Sequence, residues 1–131
     1  SPDSIVTNNL FTSNGNGGAR IQSADRAQVI NNIMRYNGIE RPNSAWDSAG
    51  TKITRLSDAL VKGNLIEYNY GTGIWYDSST FRTMTVDNVV RYNGSGVFVE
   101  ISHDDAVAFN IIHDNNYGIL VSGASDTRIY N

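Results

Sequence analysis

The chain has 131 residues, a formal charge of −3, a pI near 5.1 and no cysteine. That length suits one domain. The absence of cysteine excludes disulfides and thiolate metal sites, no apolar run reaches the ~20 residues of a membrane-spanning helix, and no Lys/Arg cluster offers a phosphate-tracking stripe for nucleic acid. Asn occurs 16 times and Gly 12 times against 2 Pro. This bias points to short strands joined at tight turns, where Asn and Gly accept left-handed backbone angles.

Taken in order, the chain repeats itself. The first unit, Asn9-Leu10-Phe11-Thr12-Ser13-Asn14, has an Asn, two apolar residues, two mostly polar ones and a second Asn. It returns at Asn32–Asn37, Asn64–Asn69, Asn88–Asn93 and Asn110–Asn115, with first-Asn spacings of 23, 32, 24 and 22. A Gly-initiated stretch follows each unit, beginning at Gly18, Gly50, Gly73, Gly96 and Gly118. Its second and fourth positions are mostly apolar (Ala19/Ile21, Thr51/Ile53, Ile74/Tyr76, Val97/Val99, Ile119/Val121), and its third and fifth vary freely. Alternation of this kind marks a strand with one face buried. A fixed period of this length marks a solenoid.

The long spacing assigns about nine extra residues to one insertion, about 38–48, which holds Pro42 and Trp46. Insertions in repeats map to loops on one face, often the binding face, so Trp46 is either a buried anchor or a ligand wall. Neither end carries a capping signature: Ser1-Pro2-Asp3 leads straight into the first coil, and Ile129-Tyr130-Asn131 begins a sixth copy. Solenoid ends need caps against edge pairing. The expectation is a single segment, 1–131, of a longer solenoid, or one that a second chain continues.

Stacked coils with Asn at fixed corners resemble the right-handed parallel β-helix, the pectin-lyase-like solenoid, over nearly the whole chain. The resemblance implies an all-β fold of about five coils of 22–24 residues, with an internal asparagine ladder passing amide hydrogen bonds from coil to coil. It also makes an extracellular or cell-surface location the expectation.

In that register the third position of the Gly-initiated strands runs Arg20, Lys52, Trp75, Phe98, Leu120, and the fifth runs Gln22, Thr54, Asp77, Glu100, Ser122. Both columns project from the same face. Like charges opposite one another in a sheet are destabilising, and a local rule broken without structural benefit points to function. At rung spacing, one carboxyl would hold a proton beside an ionised partner, the pairing that retaining glycoside hydrolysis uses at ~5–5.5 Å. Trp75 and Phe98 would offer faces to a sugar ring. The structural alternative is a solvated acidic pair neutralised by Lys52. A further alternative gathers Asp77, Glu100, Asp104 and Asp105 around Ca²⁺, with Lys52 or Arg20 as base, as in uronate lyases or epimerases. A glycan-binding or purely structural segment of a surface protein is the non-enzymatic reading. Outside the cation alternative no cofactor or metal is expected, and the partner is an oligo- or polysaccharide.

Gly73-Ile74-Trp75-Tyr76-Asp77, followed 23 residues later by Glu100-Ile101-Ser102-His103, resembles the catalytic region of the β-helical β-xylosidases, glycoside hydrolase family 120. The resemblance implies Asp77 as nucleophile, Glu100 as acid/base and His103 as a substrate or orienting contact. The sequence departs from that pattern at Ser78, where the family carries a second Trp. His113 falls in the column Arg35, Glu67, Arg91, His113, which reads as a solvated face. Tyr36, Tyr68 and Tyr92 each precede a second Asn and read as stacking at a corner.

Overall fold

Each repeat folds into one coil of three short strands, because three apolar stretches per period are separated by turn residues. In the computed structural model, which describes residues 1–131, the first coil has β1 (Ile5–Thr7), β2 (Leu10–Thr12) and β3 (Ala19–Gln22). The second has β4 (Gln28–Ile30), β5 (Ile33–Arg35) and β6 (Ala49–Thr54). The third has β7 (Leu60–Lys62), β8 (Leu65–Glu67) and β9 (Thr72–Asp77), followed by the short β10 (Thr80–Phe81). The fourth has β11 (Met84–Val86), β12 (Val89–Arg91) and β13 (Ser95–Glu100), followed by β14 (Ser102–His103). The fifth has β15 (Ala106–Ala108), β16 (Ile111–His113) and β17 (Tyr117–Ser122), and β18 (Arg128–Tyr130) opens a sixth.

Like strands of successive coils pair in parallel and build three sheets, ordered β1-β4-β7-β11-β15-β18, β2-β5-β8-β12-β16 and β3-β6-β9-β13-β17, with β10 and β14 as a two-stranded fourth. The centre of each three-residue strand points inward, so Val29, Val61, Met34, Ile66 and Val90 are fully buried. The third sheet adds Ile53, Ile74, Tyr76, Val97 and Val99. This is the expected all-β solenoid of five stacked coils.

Two asparagine ladders run its length. The Nδ2 of Asn32 donates to Oδ1 of Asn64 at 3.1 Å, Asn64 to Asn88 at 2.9 Å, and Asn88 to Asn110 at 3.0 Å. In the second ladder Asn37 donates to Asn69 and Asn69 to Asn93, both at 2.9 Å. The backbone N–H of each donor residue reaches the same Oδ1, as Asn32 does at 2.8 Å. Each amide therefore satisfies polar groups that burial would otherwise strand. Asn93, in an Asn-Gly-Ser sequon, is buried with its amide fully committed to this ladder.

The glycines that open the third-sheet strands pack beneath the second ladder. A Cβ on Gly73 would lie 2.7 Å from the Gly96 carbonyl oxygen and 3.1 Å from Nδ2 of Asn93. Their role is close approach, not backbone freedom. Only Gly38, Gly63 and Gly123 have positive φ, and the left-handed corners are otherwise occupied by residues such as Tyr36, Tyr68, Tyr92, Ile101 and Phe109. The corners are therefore shared: Asn8, Asn31 and several Ser and Asp take left-handed angles as turn residues do, bulky residues take the others, and most of the recurring Asn supply the ladders instead. One corner carries alternating charge instead. Arg26 donates to both oxygens of Asp3 (2.6 and 2.9 Å) and Arg82 to both of Asp58 (2.8 and 2.9 Å), and each guanidinium holds its carboxyl below the usual range. The column Arg35–Glu67–Arg91–His113 is not uniformly solvated, since Glu67 is buried and accepts from Nε of Arg91 at 2.9 Å.

Asn64→Ala removes the acceptor for two donors on Asn32, and a stranded buried donor costs ~1–3 kcal/mol. The expected loss in chemical denaturation is therefore about 2–5 kcal/mol, against little change for Asn116→Ala on the exposed surface. Equal losses for the two variants would contradict the ladder's role.

Candidate functional site

The third sheet positions the candidate residues. Arg20 pairs with Lys52, Lys52 with Trp75, Trp75 with Phe98, and Phe98 with Leu120. Thr54 pairs with Asp77 and Tyr76 with Val99, which brings Glu100 into line beside Asp77 on the adjacent strand. Strands at ~4.8 Å carry the two carboxylates one rung apart.

The column is a stack, and Trp75 is its centre. Lys52 Nζ lies 3.7 Å from the Trp75 ring centroid on one side, and Phe98 stacks at 5.5 Å and 22° on the other. Trp75 is consequently only 2 % exposed. It offers no free face to a sugar, contrary to the expectation from sequence, because its neighbours in the column occupy both. Its indole Nε1–H instead donates to Oε2 of Glu100 at 3.1 Å. That bond fixes one carboxyl oxygen and leaves the other free.

Lys52 is buried by the insertion loop, with its side chain 7 % exposed. Its ammonium donates to the Trp46 carbonyl at 2.5 Å and lies 3.1 Å from Oδ2 of Asp77 and 3.7 Å from Oδ1 of Asp47. A desolvated ammonium is costly unless paired and hydrogen-bonded; here a carbonyl, two carboxylates and an aromatic face supply the partners. A cation over an aromatic face contributes up to ~2 kcal/mol when desolvated. The loop is held in turn by Asp47, which accepts two bonds from Nη1 of Arg20 (2.8 and 2.9 Å) and one from Nδ2 of Asn16 (3.1 Å). Sequence reasoning singled out Trp46 and passed over Asp47. The signal available was an acid at the end of an insertion that rejoins a column beginning with two bases.

Trp46 is not the buried anchor: the residue is 75 % exposed, and its backbone carbonyl accepts from Lys52. His103 lies beyond the turn at Ile101, in β14, where it stacks on Phe81 at 5.4 Å and shares a 2.6 Å hydrogen bond with Ser125 through Nδ1. No hydrogen bond or ion pair joins it to Asp77 or Glu100. The third coil carries one residue more than the fourth at this turn, because the pairing offset falls from 23 at Tyr76–Val99 to 22 at Thr80–Ser102. Ser78 and Ser79, both at positive φ, absorb it directly after Asp77.

The calcium grouping does not form. Asp105 is fully buried and accepts from the Thr83 backbone N–H at 3.1 Å, from the Thr83 hydroxyl and from the Ser102 hydroxyl, while Asp104 sits on an exposed corner. Nowhere do three or more His, Asp or Glu side chains converge to hold a metal ion. Asp77 and Glu100 stand on the sheet face outside the main clefts of the molecule, none of which they line.

The sequence profile described as "Right handed beta helix region" matches residues 1–131. No curated protein matches the sequence. Two solved structures are similar. The complex structure of XylC with xylose aligns over 92% of this chain and 19% of that one, with 25% identity and a TM-score of 0.81. The Azotobacter vinelandii mannuronan C-5 epimerase AlgE4 A-module aligns over 98% of this chain and 34% of that one, with 19% identity and a TM-score of 0.78. The chain thus spans well under half the length of either. The second likeness, at its identity, concerns the fold alone.

Two expectations follow from the stack. A double-mutant cycle of Lys52→Met and Asp77→Asn, followed by denaturation, should give a coupling of about 1–3 kcal/mol; additivity would remove Lys52 as the partner of Asp77. Iodide should quench the Trp46 component of the fluorescence and spare Trp75, so Trp46→Phe should leave emission nearly unquenchable.

Proposed function

The chain belongs to the right-handed β-helix family, and from that premise we propose that it is a carbohydrate-active member acting as a retaining glycoside hydrolase of the β-xylosidase type, with Asp77 and Glu100 as its catalytic pair. The observation that carries this reading is the in-register pair itself, each carboxylate with its own partner: Lys52 Nζ at 3.1 Å from Asp77, and Trp75 Nε1 at 3.1 Å from Glu100. The likeness to XylC bound to xylose, at 25% identity, supports a glycan as the ligand class.

The chemistry follows from the spacing. Adjacent rungs suit the ~5–5.5 Å carboxyl separation of retaining enzymes, whereas inverting enzymes need a wider gap for a water. Asp77 attacks the anomeric carbon as the glycosidic C–O bond breaks, and Glu100 gives its proton to the leaving oxygen. Glu100 then takes a proton from water, whose oxygen attacks the same carbon and releases Asp77. Lys52 offsets the negative charge of Asp77 and fixes one of its oxygens. Phe98, half-buried between Trp75 and Leu120 in the column, is the aromatic surface left for a sugar. Such an enzyme would act outside the cell or at its surface, where the glycan is.

A non-catalytic glycan-binding segment is the second reading, favoured by one observation: neither carboxylate lines a cleft. A 2-deoxy-2-fluoro xyloside with a good leaving group should trap a covalent adduct on Asp77, detected by peptide mass spectrometry. Asp77→Asn should abolish trapping and turnover. Glu100→Gln should lower turnover by about 10²–10⁴-fold on substrates with poor leaving groups and far less on dinitrophenyl glycosides. Unchanged turnover in both variants would end the catalytic reading; glycan binding without any adduct would favour the second.

A further inference from the structure

The largest cleft lies at the opposite end of the third-sheet strands, at the corner where Tyr36, Tyr68 and Tyr92 follow one another. It encloses about 500 Å³. The three rings form one wall: Tyr36 and Tyr68 stack at 5.2 Å and 13°, and Tyr68 and Tyr92 at 4.7 Å and 10°. The start of the insertion loop, with Ile39 and Arg41, forms the other, and Tyr70 lines the cleft with them.

Four features distinguish this corner from ordinary packing. Tyr occupies this corner in three successive coils at φ 54–55°, where the first and fifth coils place Ser13 and Asp114. The fold's corner therefore does not require Tyr. Tyr70 is half-exposed and is the one tyrosine of the cleft whose ring no other aromatic covers. Arg41 is exposed and has no carboxylate within ion-pair distance, unlike Arg20, Arg26, Arg82 and Arg91. Behind Tyr36 stands a second unpaired cation: the Arg35 guanidinium lies 5.9 Å from that ring, with its buried Nε lacking any partner.

The cleft is also rigidly built. Gly38, at φ +83°, packs so closely that a Cβ there would lie 2.8 Å from both the Tyr70 Cβ and the Ser48 hydroxyl. The rungs recur at ~4.8 Å, about the advance of one pyranose along an extended glycan. A chain laid parallel to the solenoid axis would thus meet one tyrosine edge and hydroxyl per sugar. An unstacked tyrosine, hydroxyls at sugar spacing and a guanidinium without a carboxylate partner together suit a glycan that carries carboxylates.

We propose that this cleft is a second glycan-binding site, separate from Asp77 and Glu100, which takes an oligosaccharide bearing uronate residues, with one pyranose face on Tyr70 and its carboxylate on Arg41. The class of ligand rests on the carbohydrate-active reading above; the position and the charge preference rest on the cleft alone.

Titration of the full chain, followed by two-dimensional NMR, tests it with three acidic tetrasaccharides: an oligogalacturonate, an oligomannuronate and a glucuronic-acid-bearing xylan fragment. At least one should perturb the amides of 36–41 and 68–70. Arg41→Ala and methyl esterification of the sugar should each weaken that binding by roughly 10- to 100-fold, as loss of a charge-assisted hydrogen bond does. Tyr70→Ala should weaken it at least severalfold, and Arg41→Gln should behave as Arg41→Ala does; both positions are exposed, and an unchanged thermal melt verifies folding. Asp77→Asn should leave the affinity unaltered. Absence of binding by all three probes, equal affinity for the methyl esters, or perturbations confined to 75–77 and 98–100 would each overturn the proposal. Loss of turnover in Asp77→Asn without loss of this binding separates the two sites, and turnover without any binding at the cleft would refute this one alone.

Discussion

The two asparagine ladders set the register on which the rest of the molecule depends. Side chains alternate faces along a strand, so a slip of one residue would turn the outer column inward and the core outward. Each ladder amide accepts from both the backbone and the side chain of the preceding Asn, and donates to the next, so it ties two coils at one point with well-directed bonds. In coils three to five the second ladder's Asn stands two or three residues before the third-sheet strand, and the glycine column closes beneath the ladder. Those strands therefore start from a fixed height and phase. The alignment of Lys52, Trp75 and Phe98, and of Asp77 with Glu100, is inherited from that start.

The same register explains how a charged column survives on a sheet face. Two carboxylates one rung apart repel, and the column answers with a cation one rung before them and an indole N–H between them. Lys52 serves four partners at once, and only the insertion loop makes its burial tolerable by placing the Trp46 carbonyl and Asp47 over it. Removing the loop would return the ammonium to water and loosen its hold on Asp77. The chemistry on β9 and β13 is thereby linked to a loop that departs from another corner of the coil.

That loop has two ends with different consequences. Its beginning, at Gly38 to Arg41, stands beside the tyrosine corner and gives the largest cleft its second wall. Its end, at Trp46 and Asp47, closes over Lys52. It leaves and rejoins the coil between ladder residue Asn37 and the strand at Gly50, so its extra residues disturb neither ladder nor sheet. One insertion thus makes two faces of a regular solenoid irregular, and irregularity is what allows a repeating surface to recognise anything.

The sequence by itself determined the coil count, the ladder positions, the strand register and the neighbourhood of Asp77 and Glu100. All of these follow from spacing, and in a parallel solenoid equal spacing becomes vertical alignment. It also located the insertion, since 32 residues stand where 22 to 24 recur. What it left undecided depends on directions that spacing does not encode. Only the tertiary structure decided that Trp75 is covered on both faces, that Trp46 contributes a carbonyl and an exposed ring, and that His103 turns to Phe81. Only it decided that Asp105 faces the interior, breaking up the calcium grouping. The physical reason is common to these cases. Periodicity fixes which residues share a face, whereas exposure and partners depend on what packs over that face, and here a single non-repeating loop and the corner turns decide that.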